Sequence, residues 1–437
     1  MTRTLVAFVA IIGAVAATRR SGRAVLLLLA ALLPISMGNV HGYQDFRVIE
    51  WLPVMLLPLV VLDMLRTPQG LSPRGSGFLW LVVALFACVA LINLMRQAGI
   101  ASSDRRDYWG LAMNLLVMGD VAWLGRWLVR DERMAKLTLW TFVWIAVVVS
   151  CARLANYYLG TPLPFLGGVF EYSVQGGLGA AASAARIGGL DEGAMLGLAA
   201  LGALLHGGRA RIASPFLAIF FFIMVVVAGG RTVALAVLLA LVLYLVLAKG
   251  GRLAIIGATL AAVAAALQII GALGLSHQIT RVTGFAGGLR EQDPFRYQAQ
   301  SDQLQAFFSH PWLGKGIGVL DQPISNQFLA DQVKFGGHGA YTSMLANFGV
   351  IGGLTLVSLL LVPLVGSVLA LRRHPRPDLA GFRMWCMFVA LIASMEVVVS
   401  LTGWNGYSAN GSAASGIYAT AGMYLACRYV GLYHQNR

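Results

Sequence analysis

The chain has 437 residues, of which 58% are hydrophobic and only 11% are charged, and its mean hydropathy is +0.75. Soluble domains carry about 25% charged residues, so this composition excludes an ordinary soluble protein and indicates an all-α integral membrane protein. The formal net charge is +14, but cytoplasmic loops of membrane proteins are rich in Lys and Arg, so nucleic-acid binding is not indicated.

Apolar runs of transmembrane length recur along the chain. A short first run at 4–18 has a signal-peptide-like end, but the arginines at 19, 20 and 23 directly after it favour an additional or partial helix. About twelve spans follow, because runs of about 17–25 apolar residues cross a bilayer as helices. They are predicted at 24–40, 48–65, 77–95, 107–127, 136–158, 193–206, 212–228, 230–248, 252–275, 341–371, 379–403 and 408–430.

Basic residues fall in alternate connections between these spans, which predicts the sidedness of the chain. With the basic connections inside, residues 276–340 are expected to form one large periplasmic or extracellular loop between N-terminal spans (1–275) and C-terminal spans (341–437). The predicted cytoplasmic clusters are Arg66 with Arg74, Arg126 with Arg130, Arg133 and Lys136, Arg209 with Arg211, Lys249 with Arg252, and Arg372 with Arg373 and Arg376.

The large loop is the only long polar segment of the chain. A structureless loop of this length is uncommon unless it is functional or disordered, and its glycines and aromatics do not indicate disorder. We expect short helices lying over the membrane face, with Phe307, Phe308 and Trp312 at the interface. Its glycines at 314, 316 and 318 permit a tight turn.

Two arginines lie on the side where the charge pattern does not predict them. Arg186 falls in a predicted external connection, and Arg231 opens a helix after Gly229 and Gly230. An arginine at a helix start faces the positive end of the helix dipole, which an anionic ligand would offset. The alternative is an arginine that snorkels to the headgroups.

The remaining ionisable and thiol groups give weaker signals. Asp120 and Glu396 lie inside spans, where carboxyl groups are costly, and Asp120 has Arg126 or another helix as a candidate partner. The four cysteines form no metal-ligand or disulfide spacing and are predicted to be packing residues.

Four motifs in order resemble the O-antigen ligase/polymerase superfamily of GT-C type membrane glycosyltransferases. They comprise Arg186 to Leu190; Gly230-Arg231-Thr232; Arg296 followed by an amphipathic helix at 297–309 and a glycine-rich stretch at 310–318; and His338-Gly-Ala-Tyr followed by Asn347-Phe-Gly-Val-Ile-Gly352. The chain departs from the usual pattern at Gly339, which replaces Asn, at Asn347, which replaces Glu, and at Asp191-Glu192.

The resemblance implies a glycan donor on undecaprenyl diphosphate, used at the periplasmic face of the bacterial inner membrane. It implies that Arg186, Arg231 and Arg296, with Arg290 as a weaker fourth, bind the diphosphate, since guanidinium groups bind phosphate by bidentate bonds. Arg231, Arg296 and His338 are the candidate catalytic residues, with His338 as general base. Glu171, Asp191 and Glu192 are alternative bases. No Asp-x-Asp motif occurs in an external loop, so a metal-independent enzyme without cofactor is expected.

The acceptor is left open by the motifs. A ligase transfers the glycan to a lipid A–core sugar, whereas a polymerase transfers it to a second lipid-linked glycan. We favour the ligase because of the single domain-sized loop and the span count. A transporter is less favoured because no internal repeat is seen, and an envelope scaffold would leave Arg231 and His338 without a purpose.

Overall fold

The described part of the chain is helical, with no strand. The computed structural model describes Leu57, Val60 and residues 77–96, 102–159, 190–205, 213–227, 231–247, 294–317, 339–373, 380–402 and 412–435. The helices there are α1 (Gly77–Arg96), α2 (Ser102–Arg130), α3 (Glu132–Leu159), α4 (Leu190–Leu205), α5 (Ala213–Val227), α6 (Arg231–Leu247), α7 (Pro294–Ser309), α8 (Ala340–Arg373), α9 (Ala380–Thr402) and α10 (Ser412–Gln435).

The all-helical membrane fold predicted from the hydropathy is confirmed in these ranges. Each predicted span from 77–95 to 230–248, and each of the last three, coincides with a helix. Within the described part of the chain, four helices are long and apolar enough to cross a membrane: Gly77–Arg96, Glu132–Ala152, Ala340–Arg373 and Gly381–Leu401. The spans at 24–40 and 252–275 and nearly all of 48–65 lie outside the described residues, so the count of about twelve stays a prediction.

The chain divides into two compact units. Unit one contains Met1–Ile49 and Asp131–Phe285, and unit two contains Glu50–Arg130 and Ala286–Arg437. Asp131 separates α2 from α3 and caps the latter, because its Oδ1 accepts the amides of Arg133 (3.0 Å) and Met134 (3.2 Å).

Unit one is built on α4, which packs against α3, α5 and α6. A small residue permits the contact with α3: a Cβ on Gly202 would lie 2.9 Å from Leu139 Cδ1 and 3.3 Å from Val143 Cγ2. Close approach at small residues is the usual basis of helix packing in a bilayer. The helix α6 begins at Arg231, as the sequence predicts.

Unit two is built on the pairs α2 with α10 and α8 with α9, and α1 and α7 pack against α8. The first pair crosses closely, since a Cβ on Gly422 would lie 2.5 Å from Met118 O. Glu396 on α9 is buried, and its Oε1 accepts a hydrogen bond from Thr420 of α10 (2.8 Å).

Asp120 is buried on α2. Of its two candidate partners, Arg126 or another helix, Arg126 forms no ion pair with Asp120 among the described residues. Instead, the Arg126 guanidinium stacks 3.3 Å above the Trp123 ring, and its Nε donates to Trp123 O (2.9 Å). Residues six apart on a helix point in different directions, which explains why these two do not meet.

The four cysteines are free thiols. Cys386 and Cys427 are buried on α9 and α10, whereas Cys88 and Cys151 are exposed on their helices. The expected role as packing residues therefore fits the buried pair.

Candidate active site

The glycine-rich motif of the large loop folds as a turn directly after α7. We call residues 310–317 the glycine turn. His310 N donates to Ala306 O (3.2 Å) and Phe307 O (3.0 Å), which ends the helix, and Gly314 N donates to His310 O (3.0 Å). Gly314 and Gly316 have φ of 69° and 85°. These left-handed conformations favour glycine, which explains the residue type at both positions.

The glycine turn docks onto the first segment of α8, so two of the motifs found in the sequence meet in space. The contact is made by the main chain of both segments. Three backbone hydrogen bonds join them: Lys315 N to Ala346 O (2.9 Å), Gly316 N to Asn347 O (3.0 Å) and Val350 N to Pro311 O (2.8 Å).

The docking depends on a break in α8 at Gly349. This residue has φ 64° and ψ −157°, a region that is almost restricted to glycine. A Cβ there would collide with the carbonyl of Trp312, and a Cβ on Gly314 would collide with the backbone of Asn347. The two backbones therefore approach each other at a pair of positions where neither can carry a side chain.

A buried asparagine from α1 braces this contact. Asn93 is 1% exposed, and its Nδ2 donates to Leu313 O (2.8 Å) in the glycine turn and to Asn347 O (3.1 Å) in α8. Tyr108 of α2 adds a second brace, because its hydroxyl accepts the amide of Ile317 (3.3 Å). The docked turn is thus held from two helices besides α8.

Substitution at the break should be severe. We expect Gly349→Ala to destabilise the protein by about 1–3 kcal/mol from the backbone conformation alone and to displace the glycine turn, with loss of activity. Thermal unfolding of the purified protein measures the first effect. Gly119→Ala is the matched control, since a Cβ there meets nothing within 4 Å. Equal unfolding temperatures for the two variants would contradict the assigned role of Gly349.

Helix α7 lies against the start of α8 through two glutamines. The Thr342 hydroxyl donates to Gln303 Oε1, and Gln300 Nε2 donates to Leu401 O at the end of α9 (3.3 Å). Arg296 is the third residue of α7, seven positions before Gln303 and thus about 10 Å along the helix axis. Because of this packing, α7, which contains Arg296, lies at the end of α8 where Gly339 is found. Gly339 directly follows His338 in the sequence.

The structure describes the helix positions of some predicted site residues and not of others. Arg231 is the first residue of α6 in unit one and Arg296 belongs to α7 in unit two. Asp191 and Glu192 lie in the first turn of α4. Arg186, Arg290, His338 and Glu171 lie outside the described residues. That Arg231, Arg296 and His338 share one catalytic site stays a prediction.

Two aromatic side chains on the outside of α7 and the glycine turn are strongly exposed. Phe308 is 74% exposed and Trp312 is 75% exposed, whereas Phe307 is half-buried and packs on Phe308 at a centroid distance of 5.4 Å. Exposed aromatics of this kind are typical of residues that lie at a membrane interface.

The sequence alone did not indicate three residues of this region. Asn93 is a single polar residue in an apolar span, Tyr108 stands at the start of another, and Gln303 is one of several glutamines on α7. The sequence offers one indication for Asn93. An amide inside an apolar span costs free energy unless it is hydrogen-bonded, so a polar partner for it is expected. Nothing in the local sequence identifies those partners.

Comparison with known proteins finds one family model that is similar to part of the chain. A family model described as O-antigen ligase (Wzy_C) matches residues 216–357, a stretch that runs from α5 through the glycine turn and past the break in α8. No curated protein matches the chain.

Proposed function

We propose that this chain, whose residues 216–357 match the O-antigen ligase family model, is a member of the O-antigen ligase/polymerase superfamily and an O-antigen ligase-type glycosyltransferase. It transfers a glycan from undecaprenyl diphosphate to a sugar of a lipid A–core acceptor at the periplasmic face of the bacterial inner membrane. The observation that carries the proposal is the docking of the glycine turn on the broken start of α8, because the matched domain contains both segments.

The proposed reaction exchanges one C–O bond at the anomeric carbon for another and transfers one proton. The acceptor hydroxyl oxygen attacks the anomeric carbon of the donor sugar, and the bond from that carbon to the diphosphate oxygen breaks. The electron pair leaves with the diphosphate, and the hydroxyl proton passes to His338 as general base. Negative charge grows on the leaving group, where Arg186, Arg231, Arg296 and Arg290 bind it as charge-assisted hydrogen-bond donors.

Purified full-length protein in nanodiscs tests the proposal. Supplied with a glycan on undecaprenyl diphosphate and with lipid A–core, a ligase forms one core-linked glycan for each undecaprenyl diphosphate released. Growth of the lipid-linked glycan without the core acceptor would instead identify a repeat-unit polymerase. Release of neither product, with translocation of the intact lipid, would contradict both.

We expect transfer to be insensitive to chelators, because the arginines take the place that a divalent cation holds in other phosphate-transfer sites. Activity of the purified protein in EDTA should equal activity in Mg²⁺ within about twofold. Purified protein is needed because EDTA also disrupts outer membranes. Loss of transfer in EDTA that Mg²⁺ or Mn²⁺ restores would show that this expectation is wrong.

A further inference from the structure

The start of α8 presents backbone donors that the helix itself does not use. Its first intrahelical bond runs from Ser343 N to Gly339 O (3.1 Å), so the amides of Ala340, Tyr341 and Thr342 have no acceptor within the helix. Gly339, at the capping position, has no side chain that could accept them. Among the described residues, no acceptor pairs with these three amides, which lie at the positive end of the helix dipole.

A buried side-chain donor lies beside these amides. Gln303 of α7 is 3% exposed, and its Oε1 is engaged by the hydroxyl of Thr342 in the first turn of α8. Among the described residues its Nε2 has no hydrogen-bond partner. Burying an amide donor without an acceptor costs free energy, so this donor points to a ligand that the protein binds here.

Side chains of α7 and α8 pack around Gly339 at this end of α8. A Cβ on Gly339 would lie 2.8 Å from Thr342 Oγ1 and 3.0 Å from Gln300 Nε2, so a larger residue there would require these two side chains to move. The Oε1 of the buried Glu396 on α9 accepts a hydrogen bond from Thr420 of α10, whereas its Oε2 has no hydrogen-bond partner among the described residues. Ala340 and Ser343 are fully buried, whereas Tyr341 and Thr342 are half-buried.

We propose that the first turn of α8 and the Gln303 carboxamide together bind phosphoryl oxygens. Helix N-terminal amides with an added neutral donor suit an oxyanion that accepts several hydrogen bonds at once. The proposal rests on the proposed function, which supplies two phosphoryl sources: the diphosphate of the donor lipid and a phosphate on the acceptor. The donor diphosphate is the expected source, and Gln303 then positions it while the arginines carry the charge.

Hydrogen exchange on the wild-type protein in nanodiscs tests the site directly. Undecaprenyl diphosphate should slow exchange of the amides at 340–342 by about tenfold or more, since each bound amide is then protected. Neutral undecaprenol should leave them unchanged. If phosphorylated lipid A–core protects them and undecaprenyl diphosphate does not, the phosphoryl group belongs to the acceptor. Protection by neither, with binding of both, overturns the site.

Matched variants on α7 give the second measurement. Gln303→Glu places a carboxylate against the phosphoryl group and should weaken binding of undecaprenyl diphosphate by about tenfold or more, and Gln303→Leu by about threefold. Gln305→Glu adds the same charge at an exposed position of the same helix and should bind within about twofold of wild type. Unfolding temperatures identify any variant that misfolds.

Two failures are distinguishable. If the wild-type protein binds undecaprenyl diphosphate and both Gln303 variants bind it equally well, the site is refuted and the transferase function stands. If the wild-type protein binds neither undecaprenyl diphosphate nor lipid A–core, the proposed function fails with it.

Discussion

Replacing Arg231 or Arg296 with alanine should abolish glycan transfer while the protein still inserts and folds. Each guanidinium is proposed to bind the diphosphate as it gains charge, and removing one donor to such a developing charge costs about 10²–10³ in rate. Lysine should restore little, because an ammonium cannot form the paired hydrogen bonds of a guanidinium. Transfer by purified variants and binding of undecaprenyl diphosphate should both fall.

The control is an arginine of the same protein on the opposite predicted side. Arg373→Ala removes an exposed charge at the end of α8 and should leave transfer within about twofold of wild type. Normal transfer by both Arg231→Ala and Arg296→Ala, at equal amounts of folded protein, would remove these residues from the site.

His338→Ala should lose transfer but keep donor binding, which separates the general base from the diphosphate-binding arginines. General base catalysis contributes about 10²–10⁴ in rate, so the loss should fall in that range. The base accepts a proton only when the imidazole is neutral. The wild-type rate should therefore fall as the pH drops through the histidine pKa, near about 6.5 if unperturbed, and this limb should vanish in the variant.

His310→Ala is the matched control for His338→Ala. His310 is exposed in the glycine turn, and its Nδ1 pairs with Ser309 Oγ (3.0 Å). This variant should keep most of its rate and the wild-type pH profile. If His338→Ala turns over normally with an unchanged profile, the base is another group, and Glu171, Asp191 and Glu192 are the next to test.

Hydropathy was sufficient to predict the helices of transmembrane length. A single apolar segment in lipid can satisfy its backbone hydrogen bonds only by forming a helix. The helix after Arg296 was expected from the family resemblance at 297–309. The observed helix α7 begins three residues earlier, at Pro294, and proline is favoured in the first turn of a helix. The predicted span 341–371, however, contains the break at Gly349. A glycine in a helical pattern gives no sign of whether it breaks the helix or merely packs.

The contacts that shape the candidate site were beyond prediction for a different reason. Asn93 meets Leu313 and Asn347 across separations of 220 and 254 residues, and no local pattern records such a pairing. The burial of Gln303 similarly follows from which side of α7 meets α8. Residue type and spacing can identify the groups that bind a phosphate, but the packing of helices decides which of them meet.

The brace made by Asn93 has a consequence for how the protein is made. Its acceptor Leu313 is synthesised 220 residues later, which at about 5–20 residues per second takes about 10–45 s. During that interval α1 has entered the bilayer with a polar amide whose final partners do not yet exist. This end of unit two therefore cannot finish folding until the second half of the chain has been made. During biogenesis the Asn93 amide must instead form hydrogen bonds with water, lipid headgroups or the insertion machinery.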